Sequence, residues 1–279
     1  MQKLNKSCIK AGNFAKLCNT NKRTLFHYDE IGLFSPVLTD DKGYRYYTKS
    51  QCDVFFTITC LKDIGMPLKE IKQYIDSKDP ENLKQLLLEQ QEKVRLELKH
   101  LKRIEQVIQT KLELLEIGER LEFDGTVSSV TLESCPEEYL ITSPALNSSD
   151  NTELFPALCQ HISYCCHEDL TTGHPYGAII SVNAARHNLP DTYLYFFTKI
   201  AFPSEHHSCM IKPSGTYAVC YLKGDYYDAS LAYHALFAFL ESNGLTPGEF
   251  CYKEAIFDEL AVDDETNYVT RISFPIVSF

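Results

Sequence analysis

Between Pro80 and Gly118 this chain of 279 residues contains neither glycine nor proline. The run is dominated by Leu, Glu, Lys and Gln, which lose little rotamer freedom in a helix, so one continuous helix is predicted over 79–120. Leu87, Val94, Leu101, Ile108 and Leu115 recur every seven residues, and Leu98 and Leu112 lie on the same stripe. That is a coiled-coil seam of roughly ten turns, flanked by Arg95, Glu97, Lys102 and Lys111. Gln91 and Glu105 fall on the seam and would set register at some cost in stability. A seam needs a partner, either the chain's own C-terminal part or a second copy. Its charged flanks point to a second copy, and a homodimer is expected.

Ahead of this helix, residues 23–47 read RTLFHYDEIGLFSPVLTDDKGYRYY. A short helix is predicted over Gly12–Leu17, then a turn through Cys18–Asn21 and a second helix over Lys22–Ile31, with Asn21 or Thr20 as N-cap. Leu17, Leu25, Tyr28 and Ile31 are spaced to pack the pair, and Gly32 suits a left-handed stop. Lys22, Arg23, Phe26 and His27 are left facing outward. Val37–Thr39 and Tyr44–Tyr47 around Asp40-Asp41-Lys42-Gly43 predict a hairpin. Thr48-Lys49-Ser50-Gln51 carries a capping-box pattern for a third helix, running to Ile64 before Gly65. A fourth helix starts around Met66-Pro67, with Pro67 suited to its first turn. Helix, turn, helix and wing in this order form a winged helix-turn-helix, which fixes phosphates from two directions while a helix enters the major groove. For Tyr46 and Tyr47 the competing role is packing within the hairpin, and Tyr47 is assigned to it.

Charge is distributed to match. The chain carries 27 Lys and Arg against 38 Asp and Glu, which by itself argues against a nucleic-acid partner. Yet residues 1–75 hold 12 basic and 7 acidic side chains, a net +5, whereas 121–279 hold 6 and 21, a net −15; residues 76–120 are nearly neutral at 9 and 10. A basic DNA module joined to an acidic module with a different role accounts for this asymmetry.

The head resembles the DNA-reading head of the MerR family of transcription regulators. The resemblance implies phosphate or base contacts from Arg23, Tyr28, Arg45, Tyr46 and Lys62, beside the outward Lys22 and His27. It also implies antiparallel pairing of the long helices and DNA bent and undertwisted between promoter elements, so that RNA polymerase, an indirect partner, engages both. The family pattern has Arg and Tyr where this chain has Phe26 and His27, which leaves the operator sequence open.

After Gly118 and Gly125 the composition turns to short β-like runs rich in Tyr and Phe, predicting an α+β domain. Pro175–Ala178, Lys212–Ala218, the helix Ala229–Asn243 and the segment 251–276 resemble a GyrI-type effector-binding domain. This resemblance implies two strand-helix-strand-strand repeats around a cleft, and the whole layout resembles multidrug-sensing MerR regulators that recognise lipophilic cations. The expected organisation is a winged helix-turn-helix over 1–76, a dimerisation helix over 77–120 and an effector domain over 121–279, an α+β multidomain chain.

Tyrosine faces attract cations and bury apolar ligand surface without demanding one shape. Tyr176, Tyr217, Tyr221, Tyr226, Tyr227, Tyr252 and Tyr268, with Phe155, are the candidate lining. For the tyrosines the alternative is core packing, and about half are assigned to it because aromatic rings dominate ordinary cores. Glu254 matches the family position for the acidic group that selects positive charge; its alternative is solvation on a strand face.

Other classes compete with the regulator. Isolated GyrI-like domains can be hydrolases with a cleft Glu as general base, and Glu254 desolvated among aromatics would have a raised pKa suited to proton abstraction. A purely architectural DNA-binding dimer leaves the aromatic acidic domain unexplained. His161, Cys165, Cys166 and His167 raise a metal or redox alternative, as does His206-His207-x-Cys209. No Cys-x-x-Cys pair occurs among the 11 cysteines, and none lies between 61 and 134, so buried thiols are the simpler assignment. No cofactor and no enzyme activity are expected. No apolar run reaches the length of a membrane span and the first residues lack a signal-peptide core, so the expected location is cytoplasmic.

Overall fold

The computed structural model describes residues 8–146, 151–187, 192–203 and 208–277, which form two compact units divided between His100 and Leu101. The first begins with a strand that the sequence pattern did not reveal, β1 (Ile9–Lys10), followed by α1 (Ala11–Leu17) and α2 (Lys22–Glu30). Asn21 caps α2, its Oδ1 accepting from the Thr24 amide at 2.8 Å. Gly32 takes φ +66° just beyond the helix. The wing is β2 (Leu38–Thr39) and β3 (Arg45–Tyr47), and β1 pairs with the other edge of β3, giving the order β1-β3-β2. Phe14, Leu25, Tyr28, Phe34, Tyr47 and Phe55 form the core, where Phe14, Phe34 and Tyr47 stack. Leu17, expected to pack the helix pair, is instead exposed, because β1 brings Ala11, Phe14 and Ala15 to the inner face of α1.

Helix α3 (Ser50–Asp63) shows only half of the capping box. Gln51 Oε1 accepts from the Thr48 amide at 2.9 Å, whereas the N-cap is Lys49 and no side chain caps the helix. Gly65 follows at φ +86°, and α4 (Leu68–Asp76) starts after Pro67, which occupies the N-cap position and not the first turn. Helix α5 (Pro80–Glu119) is unbroken over 40 residues. Asp79 begins it by accepting from the Asn82 amide.

The second unit is an antiparallel sheet of eight strands. Its first half comprises β4 (Thr131–Cys135), β5 (Glu138–Thr142), α6 (Asn151–His167), β6 (Gly177–Ser181), a short α7 (Val182–Arg186) and β7 (Tyr193–Ile200). The second comprises β8 (Cys209–Lys212), β9 (Gly215–Lys223), α8 (Ser230–Asn243), β10 (Phe250–Phe257) and β11 (Val269–Pro275). The order β4-β9-β11-β10-β6-β7-β5-β8 is two strand-helix-strand-strand repeats meeting at β10 and β6. Each repeat also has a leading strand that crosses to the other half: β4 pairs with β9, and β8 pairs with β5.

Alternation along the strands divides the core between two faces. One face packs Ala178, Phe196, Cys220, Cys251 and Ile272 under α6 and α8. The other carries Leu140, Ile179, Phe197, Tyr217, Val219 and Tyr252. On this second face the last turns of α5 dock, with Leu114 against Ile256 and Val269, and Lys111 paired to Asp258 at 3.8 Å. Gly118 sits inside α5 because a side chain there would overlap the ring of Phe257. Arg103 pairs with Asp169 near the same docking surface.

Candidate functional site

On the head, Lys22, Arg23, His27 and Lys62 are exposed. Arg45 is held in place from two sides. Its Nε donates to Asp29 Oδ2 at 2.7 Å, and its guanidinium stacks 4.3 Å from the centroid of Phe26. Phe26, the departure from the family pattern, thus serves as a platform for the wing arginine. Tyr28 and Tyr46 are buried: Tyr28 belongs to the core, and the Tyr46 hydroxyl donates to Asp40 at 3.0 Å. Tyr28 packs beside Phe55, and Tyr46 ties the wing strand to its turn through Asp40.

The residues expected to line one effector cleft separate onto the two faces of the sheet. Phe155, Tyr176, Tyr226 and Tyr227 come together with Tyr193 and Phe196 around a cavity of about 410 Å³ on the helix-bearing face. Glu254 lies on the opposite face, in a cavity of about 300 Å³ whose walls include Leu114 and Ile117 of α5. Tyr217 and Tyr252 are buried core residues beside it, and Tyr221 packs with the Leu114 cluster. Tyr268 lines neither cavity; burial and the nearby Glu259, Glu265 and Asp258 push its hydroxyl pKa up.

Glu254 is not a solitary carboxylate. Lys199 Nζ stands 2.8 Å away, Lys212 Nζ 3.3 Å and Arg271 Nη1 3.0 Å. Lys199 and Lys212 also reach Glu138 at 2.6 and 2.7 Å, and Arg271 reaches Glu133 at 3.0 Å. Six strands, β4, β5, β7, β8, β10 and β11, thus contribute one charged side chain each. Three carboxylates are balanced by three cations, so among the described residues the cavity carries no uncompensated negative charge that would select a cation.

Burial alone would raise the Glu254 pKa, but Lys199, Lys212 and Arg271 outweigh it and hold the group well below the ordinary carboxylate value. The raised pKa expected of a general base is therefore reversed. His174, in the same cavity, is pushed down to about 4 by burial and by Lys199.

The tyrosine faces already have cations of their own. Lys212 Nζ lies 5.0 Å from the Tyr252 centroid and 5.5 Å from that of Tyr217; Lys253 Nζ lies 4.4 Å from that of Tyr226. Sequence reasoning missed these lysines. The signal available was Lys199, Lys212 and Lys253 inside apolar strand runs, since a lysine is rarely buried without a partner.

The metal cluster does not assemble. His161 Nε2 bonds Thr198 at 3.0 Å and lies 3.7 Å from Cys165, whereas Cys166 is exposed and His167 turns to Glu168. No group of three potential ligands occurs among the described residues, and His206 and His207 lie outside them. Among the described residues no helix is long and apolar enough to cross a membrane.

Residues 9–78 match the MerR HTH family of regulatory proteins, and residues 153–277 match the GyrI-like small molecule binding domain. The multidrug-efflux transporter 2 regulator of Bacillus subtilis (strain 168) is 34% identical over 267 residues, 96% of each chain. The multidrug-efflux transporter 1 regulator of the same organism is 39% identical over 106 residues, 38% of each chain. In a solved cryo-EM structure of an EcmrR-DNA complex, the alignment covers 97% of this chain and 100% of that one, at 22% identity and a TM-score of 0.41. With a curated relative aligned along almost its whole length and a family model matched in each half, the chain belongs to the MerR family of DNA-binding transcription regulators and carries a GyrI-like small molecule binding domain.

Proposed function

We propose that this regulator binds a pseudo-palindromic promoter as a homodimer and activates it by distorting the DNA when a small lipophilic molecule occupies the Glu254 cavity. The observation that carries this reading is the double use of α5. Its Leu114 and Ile117 wall the cavity, while the opposite stripe, including Leu98, Leu101, Ile108 and Leu112, is exposed for a second copy. A ligand at Leu114 therefore acts on the helix that joins the protomers. Bending and untwisting DNA costs on the order of 1–6 kcal/mol, which ligand must supply through higher affinity for the activating state.

The relatives' names as multidrug-efflux transporter regulators support a ligand class broad in shape, and the apolar wall of Leu114, Ile117, Phe197 and Ile256 suits it. Arg45, held by Asp29 and Phe26, is assigned to the DNA backbone with Lys22, Arg23, His27 and Lys62. Catalysis by Glu254 is disfavoured, because a carboxylate stabilised by three cations is a poor proton acceptor near neutral pH. The test is transcription in vitro from the chain's own promoter region, with and without lipophilic ligands, beside a duplex competition at physiological salt. Activation together with preference for the promoter is expected. Equal competition by random duplex refutes specific regulation, and ligand turnover lost in Glu254→Gln would restore the hydrolase reading.

A further inference from the structure

The six charges around Glu254 differ in their access to water. Lys212 is 1% exposed, and Glu254, Arg271 and Lys199 are 10, 12 and 16% exposed, whereas Glu138 and Glu133 at the rim are 24 and 35% exposed. The floor thus holds three cations around one carboxylate. The two carboxylates that complete the balance stand where solvent screens them.

A cation entering this cavity would have to take Glu254 from three partners, leaving buried lysines and an arginine without it. An anion meets a lower barrier, since it has only to replace Glu138, whose side chain can turn to water, on Lys199 and Lys212. Beyond the six charges, Ser134 and His174, the wall is apolar, from Leu114 and Ile117 to Phe197 and Ile256. We propose that the cavity takes a lipophilic carboxylate, an aromatic or aliphatic acid whose carboxylate bridges Lys199 and Lys212 in place of Glu138 while its apolar body lies against α5. This rests on the reading of the cavity as the effector site. The domain's net −15 opposes anions at long range, but salt screens charge beyond roughly 8 Å, so the two lysines decide the contest at contact.

The test uses full-length protein and three probes of one shape: 2-naphthoate, 2-naphthamide and 2-naphthylmethylammonium, titrated at pH 7 by calorimetry. The carboxylate is expected to bind about tenfold more tightly than the amide, the size of one charge-assisted hydrogen bond, and the ammonium more weakly than either. Glu138→Gln frees both lysines from a competing carboxylate, so the carboxylate-to-amide ratio should rise severalfold; in Lys199→Met it should fall to about one. Should Lys199→Met fail to fold, the rim variant still decides. An ammonium that binds as tightly as the carboxylate, or a ratio that falls in Glu138→Gln, overturns the proposal while leaving the cavity an effector site. Absence of binding by all three overturns both, and promoter binding, measured separately, remains as the test of the DNA head.

Discussion

Replacing Leu101 and Ile108 by aspartate tests whether α5 pairs with a second copy. These side chains are 53 and 55% exposed, so each has about half its surface still to bury. Full burial of a Leu or Ile stabilises by ~1.5–3 kcal/mol, which leaves about 1 kcal/mol per side chain for the pairing step. Two positions on each of two protomers give about 4 kcal/mol, before the cost of desolvating four carboxylates. At 1.4 kcal/mol per decade the dissociation constant should rise at least about a thousandfold. Sedimentation equilibrium of wild type and Leu101→Asp/Ile108→Asp measures this directly, and promoter affinity should fall in parallel. Leu96→Asp is the control: Leu96 is 60% exposed but lies off the seven-residue stripe, so its dimer should persist. A monomeric wild type, or a double mutant whose dissociation constant moves less than about tenfold, would refute the seam.

Three further outcomes are expected. Arg45→Ala should weaken promoter binding and lower the salt slope by about one, and Asp29→Asn, which removes only the charge holding Arg45, should fall between it and wild type in a mobility-shift series. Gly118→Ala should cost a net of about 1–2 kcal/mol in urea unfolding of the second unit, because overlap with Phe257 exceeds the gain in helix propensity; Phe257→Leu should relieve it, and a stabilised alanine variant would contradict the packing. His161 has its pKa pushed down from 6.5 to about 4 by burial, so it stays neutral in the fold while the unfolded chain takes up a proton; its stabilisation is full above pH 6.5 and is lost as pH falls toward 4. Stability should drop by about 2 kcal/mol between pH 7 and pH 5 on this account, and a His161→Gln variant with the same drop would show that other groups are responsible.

What could be read from the sequence was local. The Gly- and Pro-free run gave α5 to within a residue at each end, since a long helix needs no distant information. The helix pair and the wing were legible for the same reason, through Asn21, Gly32 and the turn before Tyr44. By contrast β1 is two residues long, too short for any periodicity to register. Strand alternation in the C-terminal half marks strands but does not choose their partners, so the splitting of the tyrosines between two faces could not be foreseen. Glu254 shows the limit most sharply: its role depends on Lys199 and Lys212, which lie 55 and 42 positions earlier and meet it only when the two repeats join.

The crossed leading strands govern how this domain is made. Strand β4 leaves the ribosome with its partner β9 still 84 positions away, and β5 waits for β8 to cover its outer edge. At a synthesis rate of about 5–20 residues per second the first interval lasts roughly 4–17 s, and Leu140 and Ile141 of β5 wait roughly 3.5–14 s for Met210 and Cys209. Neither repeat can finish alone, so the two halves must be joined in one late cooperative event, with the slow kinetics of long-range pairing. A nascent chain halted before residue 209 therefore leaves the outer edge of β5 unpaired, and in the finished sheet each half holds an edge strand that belongs to the other.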